Sequence, residues 1–231
     1  MNTAHAQEKK PTFVDHLSNF LLRHRRTLLV ILIVLAVAAV ALFVTLEIRS
    51  NRIERALVQV ETLQERFAEW QALDEDAQRE EFDAFYAEAE QVIDSYGRLY
   101  AGERALFLQA RALEQIDRME EATTAYRRVA EQFPESYLAP IALIRGAVAA
   151  ENNGSTDLAL ELLAEIVDEY DQVAEVPRAL FAIGRIQENQ DNIVDAVESY
   201  NQLIDDYPNS SWTNLARNRI ITLSVEGRIG S

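Results

Sequence analysis

Hydrophobic and polar positions follow three successive regimes along the chain. Residues 27–46, TLLVILIVLAVAAVALFVTL, are apolar throughout, with no charge, glycine or proline. At 1.5 Å of rise per residue, such a run covers roughly the 30 Å hydrocarbon core of a bilayer, which predicts a transmembrane helix. Just ahead of it, Phe13, Val14, Leu17, Phe20, Leu21 and Leu22 form an amphipathic run, suited to a juxtamembrane helix on the headgroup layer. Beyond it, Ile53, Ala56, Val60, Leu63, Phe67 and Trp70 fall at alternating three- and four-residue steps, the spacing of a coiled-coil seam. About three heptads are marginal for a free-standing coiled coil. The stripe therefore has two uses, packing on the first helix pair that follows or closing a parallel homodimer.

The third regime is a repeat. Ala68, Ala105, Ala142, Ala179 and Ala216 are each 37 residues apart. Ala122, Ala159 and Ala196 keep the same step, as do Leu106, Leu143 and Leu180, and Tyr96, Phe133, Tyr170 and Tyr207. Several independent columns with one period signal an array of supersecondary units. Within a unit, Leu106, Ala110 and Leu113 have helical spacing, and Ala122, Tyr126, Val129 and Phe133 resume it after a break. Pro134 and Pro208-Asn209 end second helices, and Asn153-Gly154 turns the chain inside the middle unit. The predicted fold is all-α: a transmembrane helix, then an α-solenoid of helix pairs. The expected domains are a basic segment at 1–26, the membrane helix at 27–46, a linker helix at 47–73, repeats over 66–224 and a flexible tail at 225–231.

These columns resemble tetratricopeptide repeats, whose pattern is W-x2-L-G-x2-Y, then A-x3-F, then P. The third unit matches best, with Leu180, Ile183, Gly184 and Gln187 followed by Ala196, Tyr200 and Pro208. The first supplies Leu106, Ala110, Leu113, Ala122, Tyr126 and Pro134, and the second Leu143, Ala147, Ala159 and Leu163, with Asp171 in the proline position. The tryptophan is missing, and the period is three residues longer than the usual ~34.

Charge orients the chain. Five basic residues face two acidic ones before the apolar run, and 17 face 36 after it. Positive flanks stay cytoplasmic, so the repeats are expected outside, in the periplasm of a bacterial inner membrane. A cleaved leader fits less well, since 26 residues precede the run and no small-x-small site follows it. A formal net charge of −16 argues against nucleic acid as a partner.

Chemistry is sparse. Cysteine is absent, and all three histidines (His5, His16, His24) and both lysines (Lys9, Lys10) precede the apolar run. The repeat segment thus lacks a His- or Cys-based nucleophile, a Schiff-base lysine, a phosphate-loop lysine and a histidine zinc ligand. No catalytic residue, cofactor or metal is expected, and the chain is expected not to be an enzyme.

The candidate binding residues lie on the first helices of the units. Arg104, Phe107, Arg111 and Glu114 recur 74 residues later as Arg178, Phe181, Arg185 and Glu188, with Ile141, Ile144, Val148 and Glu151 between them. First-helix residues off the alanine face line the concave side of such a solenoid. That predicts a peptide groove with an apolar centre and guanidinium groups able to grip carboxylates. The competing expectation is that the arginines pair with neighbouring glutamates while the apolar residues pack between units.

The layout of short inside tail, single membrane helix and outer repeat domain resembles the YfgM-like ancillary subunit of the Sec translocon. That resemblance implies an adaptor that hands exported chains to periplasmic chaperones. Phe133-Pro134-Glu135-Ser136 and Tyr207-Pro208-Asn209-Ser210 are also similar to repeats of outer-membrane biogenesis and cell-division coordinator proteins, which implies an envelope scaffold. The lipid-anchoring cysteine or cleaved signal usual in those proteins is missing here.

Overall fold

The computed structural model describes residues 13–171 and 173–229. Among the described residues the chain forms nine α-helices and no strand: α1 (Phe13–Gln71), α2 (Glu75–Tyr96), α3 (Tyr100–Gln115), α4 (Met119–Gln132), α5 (Leu138–Asn152), α6 (Thr156–Glu169), α7 (Val176–Asn189), α8 (Ile193–Asp206) and α9 (Ser211–Val225). The chain divides into two units, Met1–Glu54 and Arg55–Ser231. In the first unit, α1 carries a window of mean hydropathy 3.2 with none of it buried. Its Leu, Val, Ile and Phe side chains from Leu29 to Ile48 are all exposed, as a helix long and apolar enough to cross a membrane requires. Most of the basic segment expected at 1–26, residues 1–12, lies outside the described residues. So do the side chains of the amphipathic run Phe13–Leu22.

The second unit is an array of helix pairs. Its leading pair is the end of α1 with α2. Ala56, Val60, Leu63, Phe67 and Trp70 are all buried in the chain's own core, with Trp70 fully enclosed. Trp70 stacks on Phe85 of α2 at 5.7 Å between ring centroids, and Phe67 meets the same ring tilted, at 5.3 Å. The Trp70 indole N–H donates to the carbonyl of Gln78 at 2.9 Å, and the Gln78 side chain caps the carbonyls of Gln71 and Leu73. The homodimer seam expected over 53–70 is therefore corrected. Apolar knobs already buried against α2 are closed to a second copy, and only Ile53, in the other unit, is exposed. The start of the repeats moves from 66 to about Arg55 for the same reason.

Ala68 is exposed, although it fits the alanine column numerically. The 22-residue α2 puts the leading pair out of register with the rest. From α3 onward the column holds, and Ala105, Ala142, Ala179 and Ala216 are completely buried, as are Ala122, Ala159 and Ala196. Methyl-sized side chains there let paired helices approach closely while the larger side chains interlock around them.

From α3 onward, the turn between the two helices of a pair repeats too. Asp117, Gly154 and Asp191 adopt the left-handed conformation, with φ of 66°, 78° and 64°. The next residue in each case donates back across the helix end: Arg118 to Leu113, Ser155 to Ala150 and Asn192 to Gln187, at 2.8–2.9 Å. This closes the last turn of each first helix in a Schellman arrangement. Gly227 (φ 71°) and the bond from Arg228 to Leu223 repeat it after α9. The flexible tail expected at 225–231 is thereby corrected over its described part, because Arg228 also binds Asp191 at 2.6 Å and Ile229 packs on the core.

Two substitutions test this packing in opposite directions. A Cβ on Gly184 would come within 2.5 Å of the enclosed Tyr200 ring, so Gly184→Val is expected to lower unfolding free energy by about 2–3 kcal/mol in urea titrations. Asp117 holds a positive φ that glycine adopts without a Cβ clash, so Asp117→Gly is expected to raise it by about 0.5–1 kcal/mol.

Candidate functional site

After the leading pair the first helices are α3, α5 and α7, with α9 closing the array in the same position, and successive ones are joined by a ladder of carboxylates and guanidiniums. Glu114, Glu151 and Glu188 stand near their C-terminal ends, 37 residues apart. Glu114 accepts the Tyr126 hydroxyl at 2.5 Å and Arg145 of the next first helix at 3.1 Å. Glu188 accepts the Tyr200 hydroxyl and Arg219 Nε, both at 3.1 Å, and a further bond from Arg219 Nη2. In the middle unit Leu163 occupies the tyrosine position, so no hydroxyl is available. There Arg185 takes Glu151 with both arms of its guanidinium, at 2.6 Å each. The bond from Arg185 holds the Glu151 carboxyl below the usual carboxylate range, and Arg219 does the same for Glu188 against the opposing effect of burial.

The nine candidate groove residues separate by burial and pairing. Phe107 and Ile144 are buried, Phe107 against Tyr126 at 5.7 Å, so they are core. Phe181 and Ile141 are half-buried, and Phe181 fills the space between Tyr200 and Trp212 at 5.7 and 5.4 Å. Arg185 is committed to Glu151. For these residues the expectation of internal packing and pairing holds, and a groove with an apolar centre is corrected to that extent. The Phe107, Ile144 and Phe181 side chains fill the volume between adjacent pairs, whereas Ile141 stays partly open beside the link that precedes α5.

The remaining four stay accessible. Val148 is 39% exposed and Arg178 is exposed, with no ion pair among the described residues. Arg104 reaches the Tyr137 hydroxyl at 3.4 Å and lies 5.9 Å from the centroid of the Tyr100 ring, while its Nε is buried without a partner among the described residues. Arg111 lies over the face of Phe67 at 4.8 Å, and no carboxylate of the described residues is within ion-pair distance. Burial holds the Arg111 guanidinium below the usual arginine range. Arg145 and Arg104 add to that effect, and Glu114 opposes it. The face at α3 and α5 is thus a cluster of three guanidiniums, Arg104, Arg111 and Arg145, rimmed by the exposed rings of Tyr100 and Tyr137.

Arg145 and Tyr137 escaped the sequence expectation. Arg145 had a signal, because it recurs as Arg219 at the same 74-residue step that marks Arg111 and Arg185. Tyr137 had none, since it precedes α5 in a link whose length differs between units. Among the described residues no group of three or more acidic or histidine side chains is placed to hold a metal ion.

Comparison with known proteins places this geometry among repeat proteins. The profile of a family described as a tetratricopeptide repeat-like domain matches residues 20–175, and a second, described as a tetratricopeptide repeat, matches residues 178–210. A TPR repeat-containing protein of Treponema pallidum is 34% identical over 108 residues, which span 47% of this chain and 45% of that protein. The chain is also similar to a crystal structure of nearly identical TPR-like repeats from a Podosopora anserina kinesin light chain sequence. The TM-score is 0.52 with 14% identity, over 75% of this chain and 88% of that one. A variant form of those repeats aligns with the same TM-score, at 15% identity. These structures share the fold.

The ladder predicts an acid-sensitive stability. Because Glu188 titrates below its unfolded value, its contribution is complete above about pH 4.3 and is lost as pH falls through the depressed folded value. Glu188→Gln is expected to cost about 1–3 kcal/mol at pH 7 and to flatten the loss of stability between pH 5 and 3, measured by urea unfolding across that range.

Proposed function

The chain belongs to the tetratricopeptide repeat-like domain family, a class of protein–protein interaction modules, and from that premise we propose that it is a membrane-anchored adaptor that captures carboxylate-bearing segments of other polypeptides. The observation that carries this is the state of Arg111. A half-buried guanidinium over an aromatic ring, beside two like charges and with no carboxylate of the described residues at ion-pair distance, is stabilised by any incoming carboxylate. Charge-assisted and bidentate bonds to arginine are among the stronger polar contacts available to a bound segment. Arg104, with an unsatisfied Nε, and the exposed Arg178 extend the same preference along the first helices.

The anchor is α1, with the apolar stretch at 27–46 in the bilayer. The excess of basic residues before it and acidic residues after it supports an N-terminus in the cytoplasm and repeats in the periplasm. Histidine and lysine are confined to the segment ahead of the stretch and cysteine is absent, which supports a non-enzymatic role. The layout supports a place beside the Sec translocon, holding emerging chains for periplasmic chaperones.

Arg111 gives the cleaner test, since Arg185 is engaged internally. With full-length protein in lipid nanodiscs, Arg111→Gln is expected to weaken binding of a labelled peptide with two C-terminal glutamates about tenfold, with unchanged helicity by circular dichroism. A photo-crosslinker at Val148 or Arg178 in intact cells is expected to yield products with exported chains or translocon subunits. Unchanged peptide affinity in the variant, with crosslinks to neither class, overturns the proposal.

A further inference from the structure

A different surface opens where the links between pairs lie side by side. Between the link that precedes α5 and the link that precedes α7 is a cleft of about 460 Å³. Tyr137, Pro140, Ile141 and Tyr170 give it apolar walls, and Glu135, Glu169 and Glu175 stand around it. Tyr137 is 63% exposed, a large aromatic surface turned to solvent. None of the three carboxylates has an ion pair or side-chain hydrogen bond among the described residues. Burial pushes the Tyr170 hydroxyl up, and Glu165, Glu135 and Glu169 push it further, so the field inside the cleft is negative. Two guanidiniums are nearby without neutralising it. Arg104 bonds the Tyr137 hydroxyl, and Arg178 follows Glu175 by one turn without pairing to it.

The repeat supplies its own controls. One period earlier, a cleft of about 520 Å³ lies among Gly97, Arg98, Gln132 and Phe133, the register equivalents of Pro134, Glu135, Glu169 and Tyr170. It carries an arginine and an amide where the second cleft carries two carboxylates. One period later, the Tyr207 hydroxyl donates to the Asp171 carbonyl at 3.1 Å, a bond that the equivalent Tyr170 lacks among the described residues. The middle link also lacks the serine that caps its neighbours. Ser136 and Ser210 accept the N–H groups of Leu138 and Trp212, and Val173 stands in that column. The fold therefore permits the cleft but does not dictate its charge.

We propose that this cleft seats a basic side chain, lysine or arginine, of a partner polypeptide. Its aliphatic stem lies on Tyr137, Pro140, Ile141 and Tyr170, and its charged head lies among Glu135, Glu169 and Glu175. A cation near a tyrosine face adds to the carboxylate attraction, and the long basic side chains bury their stems readily. This site adjoins the guanidinium cluster on the first helices, sharing Tyr137 at its rim, and has the opposite preference.

The test uses full-length protein in nanodiscs and three labelled, end-blocked Leu-X-Leu peptides, with X as lysine, norleucine or glutamate, followed by fluorescence anisotropy. The lysine peptide is expected to bind at least tenfold more tightly than the norleucine peptide, and Glu135→Gln with Glu169→Gln is expected to abolish that difference. Glu135→Arg with Glu169→Gln, which copies the first cleft, is expected to invert the preference toward glutamate. Arg111→Gln is expected to leave lysine-peptide binding unchanged, which separates this site from the one on the first helices. If the double variant loses helicity, Glu175→Gln alone is expected to weaken the lysine peptide about threefold. Equal affinity for lysine and norleucine, or a preference that survives these carboxylate substitutions, overturns the proposal.

Discussion

Close approach of helices at the alanine columns is the constraint on which the array rests. Ala105, Ala142, Ala179 and Ala216, with Ala122, Ala159 and Ala196, are completely buried, and the bulky side chains arrange themselves around them. Tyr126 and Tyr200 fill the volume beside them, fully enclosed, and their hydroxyls reach Glu114 and Glu188. A larger side chain in a column would separate the helices and withdraw the packing of whole rings, since interiors at crystal-like density have no slack to absorb it.

The same hydroxyls tie packing to charge. Each carboxylate of the ladder is held by a guanidinium from the following first helix, so the ladder couples neighbouring pairs. In an array whose units contact only their neighbours, such interfaces carry much of the cooperativity. Where Leu163 removes the hydroxyl, Arg185 alone holds the carboxylate, with both arms of its guanidinium. Arginines committed to the ladder are held inside the array, whereas Arg104, Arg111 and Arg178 make no ion pair among the described residues.

A stretch apolar enough to cross a membrane and a repeat array impose different demands on one helix. α1 runs unbroken for 59 residues from Phe13 to Gln71, yet its apolar positions change from a full circumference to a single stripe. Lipid requires every face of a spanning helix to be apolar, whereas a solvated repeat requires only the face that meets its partner. The stripe that imitates a dimer seam is therefore the inner face of a helix pair, with Phe85 of α2 in the place that a second copy would take.

Periodicity and polarity were legible without coordinates: the apolar run, the helix pairs from α3 onward and the residue types of the first-helix face all follow from local spacing. The leading pair was not, because the length of α2 shifts its register and leaves Ala68 exposed. Nor was the division of the arginines into paired and accessible, since Arg185 meets Glu151 across 34 residues while Arg111, equivalent in sequence, meets the ring of Phe67. Periodicity records which positions face the same way within a unit, and local sequence suffices for that. Which charge meets which carboxylate, and which link opens into a cleft, depends on how far one pair is displaced from the next. That displacement is set by packing across the whole interface and exists only in the folded chain.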